Sequence, residues 1–212
     1  VEGGATPVFD SENSSAYKMY YSAKSVLTDI LSNSMTTYDK ILSIYDYICT
    51  SSVYDYQTVE NSQNKNFNPT AYFCFYLESL LNNQATKLAV CDGYSKTFSL
   101  LCNMENIPCV RIMGVANTGG GFGAHAWNKV KLNGKWYVVD ITWTEYTLYD
   151  KATKVTNNTY RQSKYEVLGH KYFLVNDEFI ASNHFEYSSE TDRQRFVNMG
   201  YTGYYNTLFP TV

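Results

Sequence analysis

A thiol, an imidazole and a carboxylate stand in three short stretches of this 212-residue chain. Cys91 lies in VCDGYS, His125 in AHAWN and Asp140 in WYVVDITW. In a nucleophilic cysteine site the imidazole accepts the thiol proton, and the carboxylate orients the imidazole. These residue types, in this order, therefore predict a cysteine nucleophile with a histidine base and an aspartate partner.

The second and third stretches are predicted to be the two strands of one hairpin. Asn133-Gly134 stands between runs rich in Val, Trp and Tyr, which is typical of a two-residue turn. If the residues flanking the turn face each other, Trp127 lies opposite Asp140, and His125 shares their face. His125 and Asp140 are then diagonal neighbours, roughly 7–8 Å apart at the backbone. An imidazole and a carboxylate can close that gap to a hydrogen bond.

The thiol is predicted to lie at the start of a helix. Apolar residues follow Cys91 at helical spacings as far as Met104, and Pro108 ends the pattern. Unpaired N–H groups and the positive end of the helix dipole favour a thiolate there, and the same N–H groups can hold an oxyanion. Gly93 is expected in a tight entry turn, where its small size lets a substrate backbone approach.

The remaining pattern is helical in the first half of the chain and strand-like in the second. Helices are predicted from about Ser14 to Asn33, from a cap at Thr36 or Thr37 to Thr50, and from Pro69 to Leu81. Strands are predicted at Val110–Val115, in the hairpin, and at Tyr172–Val175.

These motifs strongly resemble the transglutaminase-like superfamily, particularly its bacterial members. The resemblance covers about Ala71 to Thr144 well, and YFLVNDE at 172–178 resembles a segment often seen after the catalytic residues. It implies Cys91 as nucleophile, His125 as general base and acid, and Asp140 as the orienting carboxylate. It also implies an α+β fold with a papain-like core. In that fold the cysteine-bearing helix packs on an antiparallel sheet, with extra N-terminal helices here.

We therefore expect one transglutaminase-like domain over residues 1–212. Its expected parts are a flexible arm at 1–13, a mainly helical segment at 14–85, a catalytic core at 86–185 and a tail at 186–212. Substrate contacts are expected at Trp127, Trp143, Gly93 and Tyr72, and Tyr72 is also a candidate oxyanion donor. For the two tryptophans, core packing is an equally good interpretation.

The resemblance implies a mechanism more securely than a substrate. A thiolate attacks an amide, a thioester forms, and water or an amine then resolves it. We expect a hydrolase or acyltransferase acting on proteins or peptides, with a peptidase or amidase favoured. Two alternatives stay open. One is a glutamine transglutaminase or deamidase, and the other is a catalytically silent surface-binding module of the same fold.

Composition excludes several other classes. Charged residues make up 17% of the chain, its net charge is -3, and it has no basic block, so a nucleic-acid partner is not expected. No apolar run approaches the ~20 residues that span a bilayer. The opening VEGGATP is typical of a trimmed or processed product, so the lack of a recognisable signal peptide does not exclude secretion. We expect a secreted or cell-surface protein, and a substrate associated with the cell wall is one expectation.

The other cysteines and histidines favour no cofactor. The five cysteines include no Cys-x-x-Cys pair, and those other than Cys91 lie in apolar patterns where a thiol acts as a small hydrophobe. His170 and His184 lack partners at metal-ligand spacing. The sequence therefore predicts neither a metal nor a cofactor.

Overall fold

The structure is a computed structural model, and it describes residues 6–61, 68, 74, 76–81, 87–117, 121–143, 149–150, 155–156 and 170–200. Its helices are α1 (Ser15–Ile30), α2 (Thr37–Ser51), α3 (Tyr56–Asn61), α4 (Glu78–Leu81), α5 (Cys91–Met104), α6 (Asp177–Ile180) and α7 (Glu190–Asn198). Its strands are β1 (Ser52–Tyr54), β2 (Lys87–Ala89), β3 (Cys109–Asn117), β4 (Phe122–Leu132), β5 (Lys135–Val139), β6 (Tyr149–Asp150), β7 (Val155–Thr156) and β8 (His184–Glu186).

Helices α1 and α2 each follow a polar residue whose side chain accepts a hydrogen bond from a backbone N–H group of the first turn. Ser14 accepts a hydrogen bond from the backbone of Tyr17, at 3.2 Å. Thr36 and Asp39 form a reciprocal capping box at the start of α2. Both predicted helices are confirmed. Of the third predicted helix, the described residues contain only α4, and residues 69–73 and 75 lie outside the described part of the chain.

The main sheet is antiparallel, in the order β5-β4-β3-β8. The hairpin at Asn133-Gly134 has the predicted register, because Leu132 pairs with Lys135 and Asn128 pairs with Val139. Strand β5 ends at Val139, and Asp140 is the next residue. The strand order brings β8, from late in the chain, onto the edge of β3.

Helix α5 packs on one face of the sheet, and the hydrophobic core of the protein lies between them. Phe98 and Leu101 of α5 are buried together with Val130 of β4 and with residues of α1 and α2. Asn128 joins the two layers, because its amide donates a hydrogen bond to the Ser95 carbonyl oxygen at 3.0 Å. The predicted α+β class, with a cysteine-bearing helix on an antiparallel sheet, is confirmed.

One predicted strand in the later part of the chain is wrong, and one observed strand was not predicted. Tyr172–Val175 is not a strand but makes one isolated antiparallel bridge, between Val175 and Val138. Leu174 has a φ of 53°, and this left-handed conformation interrupts an extended run. The segment that does extend the sheet is β8, which sequence analysis missed because it is only three residues long.

Strand β8 is anchored by the helix that follows it. Phe185 of β8 and Phe196 of α7 are both fully buried, and they pack with Val115 of β3. Among the described residues, no helix is both long enough and apolar enough to cross a bilayer.

Candidate active site

Cys91 is the first residue of α5, as predicted. Val90 before it is extended and provides no side-chain cap. The backbone N–H of Tyr94 donates the first helical hydrogen bond, to the Val90 carbonyl oxygen at 3.0 Å. The N–H groups of Cys91 to Gly93 therefore lie in the first turn, where a helix offers them no carbonyl partner. The Cys91 side chain is partly accessible, and no disulfide joins any of the five cysteines. The thiol therefore lies at a helix N-terminus and within reach of solvent.

His125 and Asp140 form the hydrogen bond that the hairpin geometry predicts. His125 Nε2 lies 2.7 Å from Asp140 Oδ2. Both residues are buried, with 8% and 0% of their surface exposed. Because bulk water is excluded from the pair, its charges are poorly screened and interact strongly.

Asp140 accepts three hydrogen bonds, and both of its carboxylate oxygens take part. His125 and His184 approach Oδ2 at 2.7 and 3.1 Å, and the Thr142 N–H donates to Oδ1 at 2.9 Å. Burial by itself raises the pKa of Asp140, but the charge and hydrogen bond of His125, together with His184, outweigh burial and hold the pKa well below its usual range. Asp140 is therefore a carboxylate.

His125 links this carboxylate to the thiol. Burial lowers the pKa of His125, but the Asp140 charge, the Asp140 hydrogen bond and an interaction with the Cys91 thiol together raise it to about 10. Since Nε2 is bonded to Asp140, Nδ1 is the nitrogen left to face Cys91. A protonated His125 between these two groups can stabilise a thiolate and later give its proton to a leaving amine.

The residues predicted to contact substrate have different surroundings. Trp143 is partly exposed and stacks on His125, with ring centroids 5.3 Å apart, so it connects the buried imidazole to the protein surface. Trp127 is only 1% exposed and stacks on His125 at 5.9 Å, so it supports the imidazole as part of the core. Two interpretations were open for Trp127, substrate contact and core packing, and its burial favours core packing.

Gly93 lies directly against another segment of the chain, and the predicted substrate contact at Gly93 stays a prediction. A Cβ atom at this position would lie 2.5 Å from the Cys74 carbonyl oxygen, so Gly93 makes room for the chain's own backbone. The Cys74 carbonyl also accepts a hydrogen bond from Val90, at 3.2 Å, which fixes the segment just before Cys91. Tyr72 lies outside the described residues.

Three side chains near this site were not predicted from the sequence. His184 contacts Asp140 as described, and two tyrosines lie near the thiol. Burial raises the pKa of Tyr54 and of Tyr187, and the electrostatic influence of nearby Cys91 raises both further. Nothing in the local sequence relates these residues to Cys91, because Cys91 lies in α5, Tyr54 in β1, and the other two in β8 or directly after it.

His184 also corrects the argument about metal ligands. Among the described residues, His125, Asp140 and His184 form one group whose ligand atoms all lie within 4.8 Å of one another. His184 therefore has partners in space that its sequence spacing did not reveal. A metal ion here would have to replace the hydrogen bonds that both imidazoles make to Oδ2, and the absence of a metal stays a prediction.

Comparison with known proteins identifies the family of this chain. The family model described as the transglutaminase-like superfamily matches residues 24–141. The mouse and human proteins named kyphoscoliosis peptidase are each 28% identical to the chain over 162 residues. Those matches cover 73% of this chain but 22% of each relative, so the chain spans about a fifth of their length.

Two solved structures are also similar. A crystal structure described as a TGase is 20% identical, with a TM-score of 0.46, and the match covers 64% of this chain and 35% of that one. A candidate cysteine protease from Cytophaga hutchinsonii is 17% identical, with a TM-score of 0.42, and the match covers 67% of this chain and 46% of that one.

Proposed function

Because this chain belongs to the transglutaminase-like superfamily, we propose that it is a thiol-dependent hydrolase or acyltransferase that cleaves amide bonds of proteins or peptides. Cys91 is the nucleophile, His125 the general base and acid, and Asp140 the residue that orients His125. The observation that carries this proposal is the buried hydrogen bond between His125 and Asp140, together with the interaction of His125 with the Cys91 thiol.

The proposed reaction has two halves. The Cys91 thiolate attacks the amide carbonyl, the C–N bond breaks, and His125 gives a proton to the departing amine or ammonia. A thioester remains on Cys91. Water then attacks the thioester after losing a proton to His125, which releases a carboxylic acid and restores the thiol. The backbone N–H groups at the start of α5 are suited to hold the carbonyl oxygen in both halves.

Among the possible substrates we favour the amide bonds of a peptide backbone or a small amide over protein crosslinking. The mammalian relatives carry the name peptidase, which supports this choice. The partly exposed Trp143 beside His125 offers a flat apolar surface for a substrate side chain. The proposed setting, a secreted or cell-surface protein with a substrate associated with the cell wall, stays a prediction.

A digest of a peptide library, read by mass spectrometry, tests the proposal. The wild-type chain is compared with Cys91→Ala, both with and without a primary alkylamine. New peptide termini that require Cys91 support a peptidase. Loss of ammonia from glutamine, or incorporation of the amine, without backbone cleavage supports the deamidase or transglutaminase alternative. Identical spectra for the two proteins on all substrates would favour the silent binding module.

A further inference from the structure

His184 is a fully buried histidine whose two nitrogens both have polar partners. Its Nε2 lies 3.1 Å from Asp140 Oδ2, and its Nδ1 lies 2.8 Å from the Asn183 side-chain oxygen. The Asn183 side-chain nitrogen lies 3.2 Å from the hydroxyl oxygen of Tyr172. A buried imidazole is costly unless both nitrogens are satisfied, so this chain of contacts explains how His184 is tolerated at 0% exposure.

The contacts define which nitrogen of His184 carries the proton. Burial lowers the pKa of His184, and the nearby His125 lowers it further against the opposing effect of Asp140, so the ring is neutral at about pH 7. A carboxylate can only accept, so Nε2–H donates to Asp140 and Nδ1 must accept. Half a turn of the Asn183 amide presents its NH₂ to Nδ1 and its oxygen to the Tyr172 hydroxyl, at the same distances. Both nitrogens of His184 and the Tyr172 hydroxyl then have complementary partners.

The fold holds His184 in place through its backbone. In the ladder between β3 and β8, His184 pairs with Ala116. Asn117 donates a hydrogen bond to the Asn183 carbonyl at 2.9 Å, and Arg195 of α7 donates one to the His184 carbonyl at 3.0 Å. The rings of Trp127 and Trp143 enclose the imidazole, with centroids 4.9 and 4.4 Å away. The imidazole is therefore fixed more rigidly than a side chain on an open loop.

We propose that His184 is a positioning residue that fixes the Asp140 carboxylate in the orientation that His125 requires. A carboxylate held at one oxygen can still turn about its last single bond. The Thr142 N–H holds Oδ1, and the His184 Nε2–H holds Oδ2, where His125 also binds. The role rests on the proposed function, because it acts through Asp140 and His125 on the reactivity of Cys91.

The test measures how fast iodoacetamide alkylates Cys91 at about pH 6, where an ordinary thiol, with a pKa of about 8.5, reacts slowly. Mass spectrometry of the peptide that contains Cys91 separates it from the other cysteines. His184→Phe keeps an aromatic ring but has no donor, whereas His184→Gln keeps an N–H donor. His170→Gln is the matched control, because His170 is a histidine that bonds to Asp46 instead. Melting temperatures establish that each variant is folded.

The proposal predicts that His184→Phe slows Cys91 alkylation roughly 10- to 100-fold, as expected for loss of a hydrogen bond to a charged group. His184→Gln and His170→Gln should stay within about threefold of wild type. In an Asp140→Asn background, His184→Phe should cause no further slowing, because the group through which it acts is already gone. If His184→Phe does not fold, His184→Met, also without an N–H donor, takes its place.

Three results would overturn the inference. One is a wild-type alkylation rate in a folded His184→Phe variant, and another is an equal slowing by this substitution in the Asp140→Asn background. The third is a slowing by His184→Gln as large as that by His184→Phe. If Asp140→Asn alone does not change the rate of Cys91 alkylation, that result would instead contradict the proposed function of the site.

Discussion

The contact between β3 and β8 can be tested by substitution of Gly114 in β3. The space that a side chain would need at this position is occupied by Phe185 of β8 and Trp127 of β4. A Cβ atom there would lie 2.6 Å from Trp127 Cη2 and closer still to the Phe185 carbonyl oxygen. Real Cβ atoms essentially never approach other atoms within 3.0 Å. Because one of the two neighbours is backbone, Gly114→Ala must push β8 away from β3.

The loss in the free energy of unfolding follows from the packing and the hydrogen bonds of β8 that the substitution disturbs. Forcing one extra methyl group into a packed interior costs about 1–3 kcal/mol. Moving β8 also strains the hydrogen bonds on either side of it, from Tyr187 to the Met113 carbonyl at 3.0 Å and from Asn117 to the Asn183 carbonyl at 2.9 Å. Each is worth about 1 kcal/mol. We expect Gly114→Ala to lower the free energy of unfolding by about 3 kcal/mol.

Urea unfolding, followed by tryptophan fluorescence, measures this change. Gly123→Ala is the control, because Gly123 pairs with Ala116 in the same sheet and a Cβ there would have no atom within 4 Å. We expect the control to change the free energy of unfolding by less than about 0.5 kcal/mol. Equal effects of the two substitutions would refute the close packing of β8 and Trp127 over Gly114.

Three further predictions concern stability and are checked by urea unfolding. Since the pKa of His125 is raised to about 10, its contribution is complete below its unfolded pKa of about 6.5 and is lost as pH rises through 10. Wild type should therefore lose more stability than His125→Gln between pH 7 and 10, and parallel curves would count against this. Gly93→Ala should cost about 1–3 kcal/mol because of the Cys74 carbonyl, and an unchanged midpoint would disprove that contact. Thr36→Ala should cost about 1 kcal/mol by removing the cap of α2, whereas Thr28→Ala, without a cap to lose, should cost less.

The parts of the fold that the sequence predicts are those set by neighbouring residues. Asn133 and Gly134 both adopt positive φ, at 51° and 80°, which a tight two-residue turn requires. That turn alone determines the pairing from Leu132–Lys135 to Asn128–Val139 and places His125 near Asp140. The start of α5 at Cys91 was predictable for the same reason, since helical spacing begins there.

The parts that the sequence does not predict depend on contacts between distant segments. His184 is 44 positions after Asp140, and the contact exists only because β8 pairs with β3. A three-residue strand carries almost no periodic signal. The burial of Trp127 and the packing of Gly93 against Cys74 likewise depend on elements that meet only in the folded chain.

The central claim is that His125, held by Asp140, activates the thiol of Cys91. The most direct measurement is the rate of iodoacetamide alkylation at Cys91 between about pH 5 and pH 9, with Cys49 of the same chain as the reference thiol. Cys49 is also partly accessible, lies in α2, and has Tyr45 as a hydrogen-bond partner instead of His125. We predict that Cys91 still reacts rapidly at about pH 6, where Cys49 has become slow, and that His125→Ala removes this difference. Parallel loss of reactivity at the two cysteines as pH falls, in wild type and in His125→Ala alike, would contradict the claim.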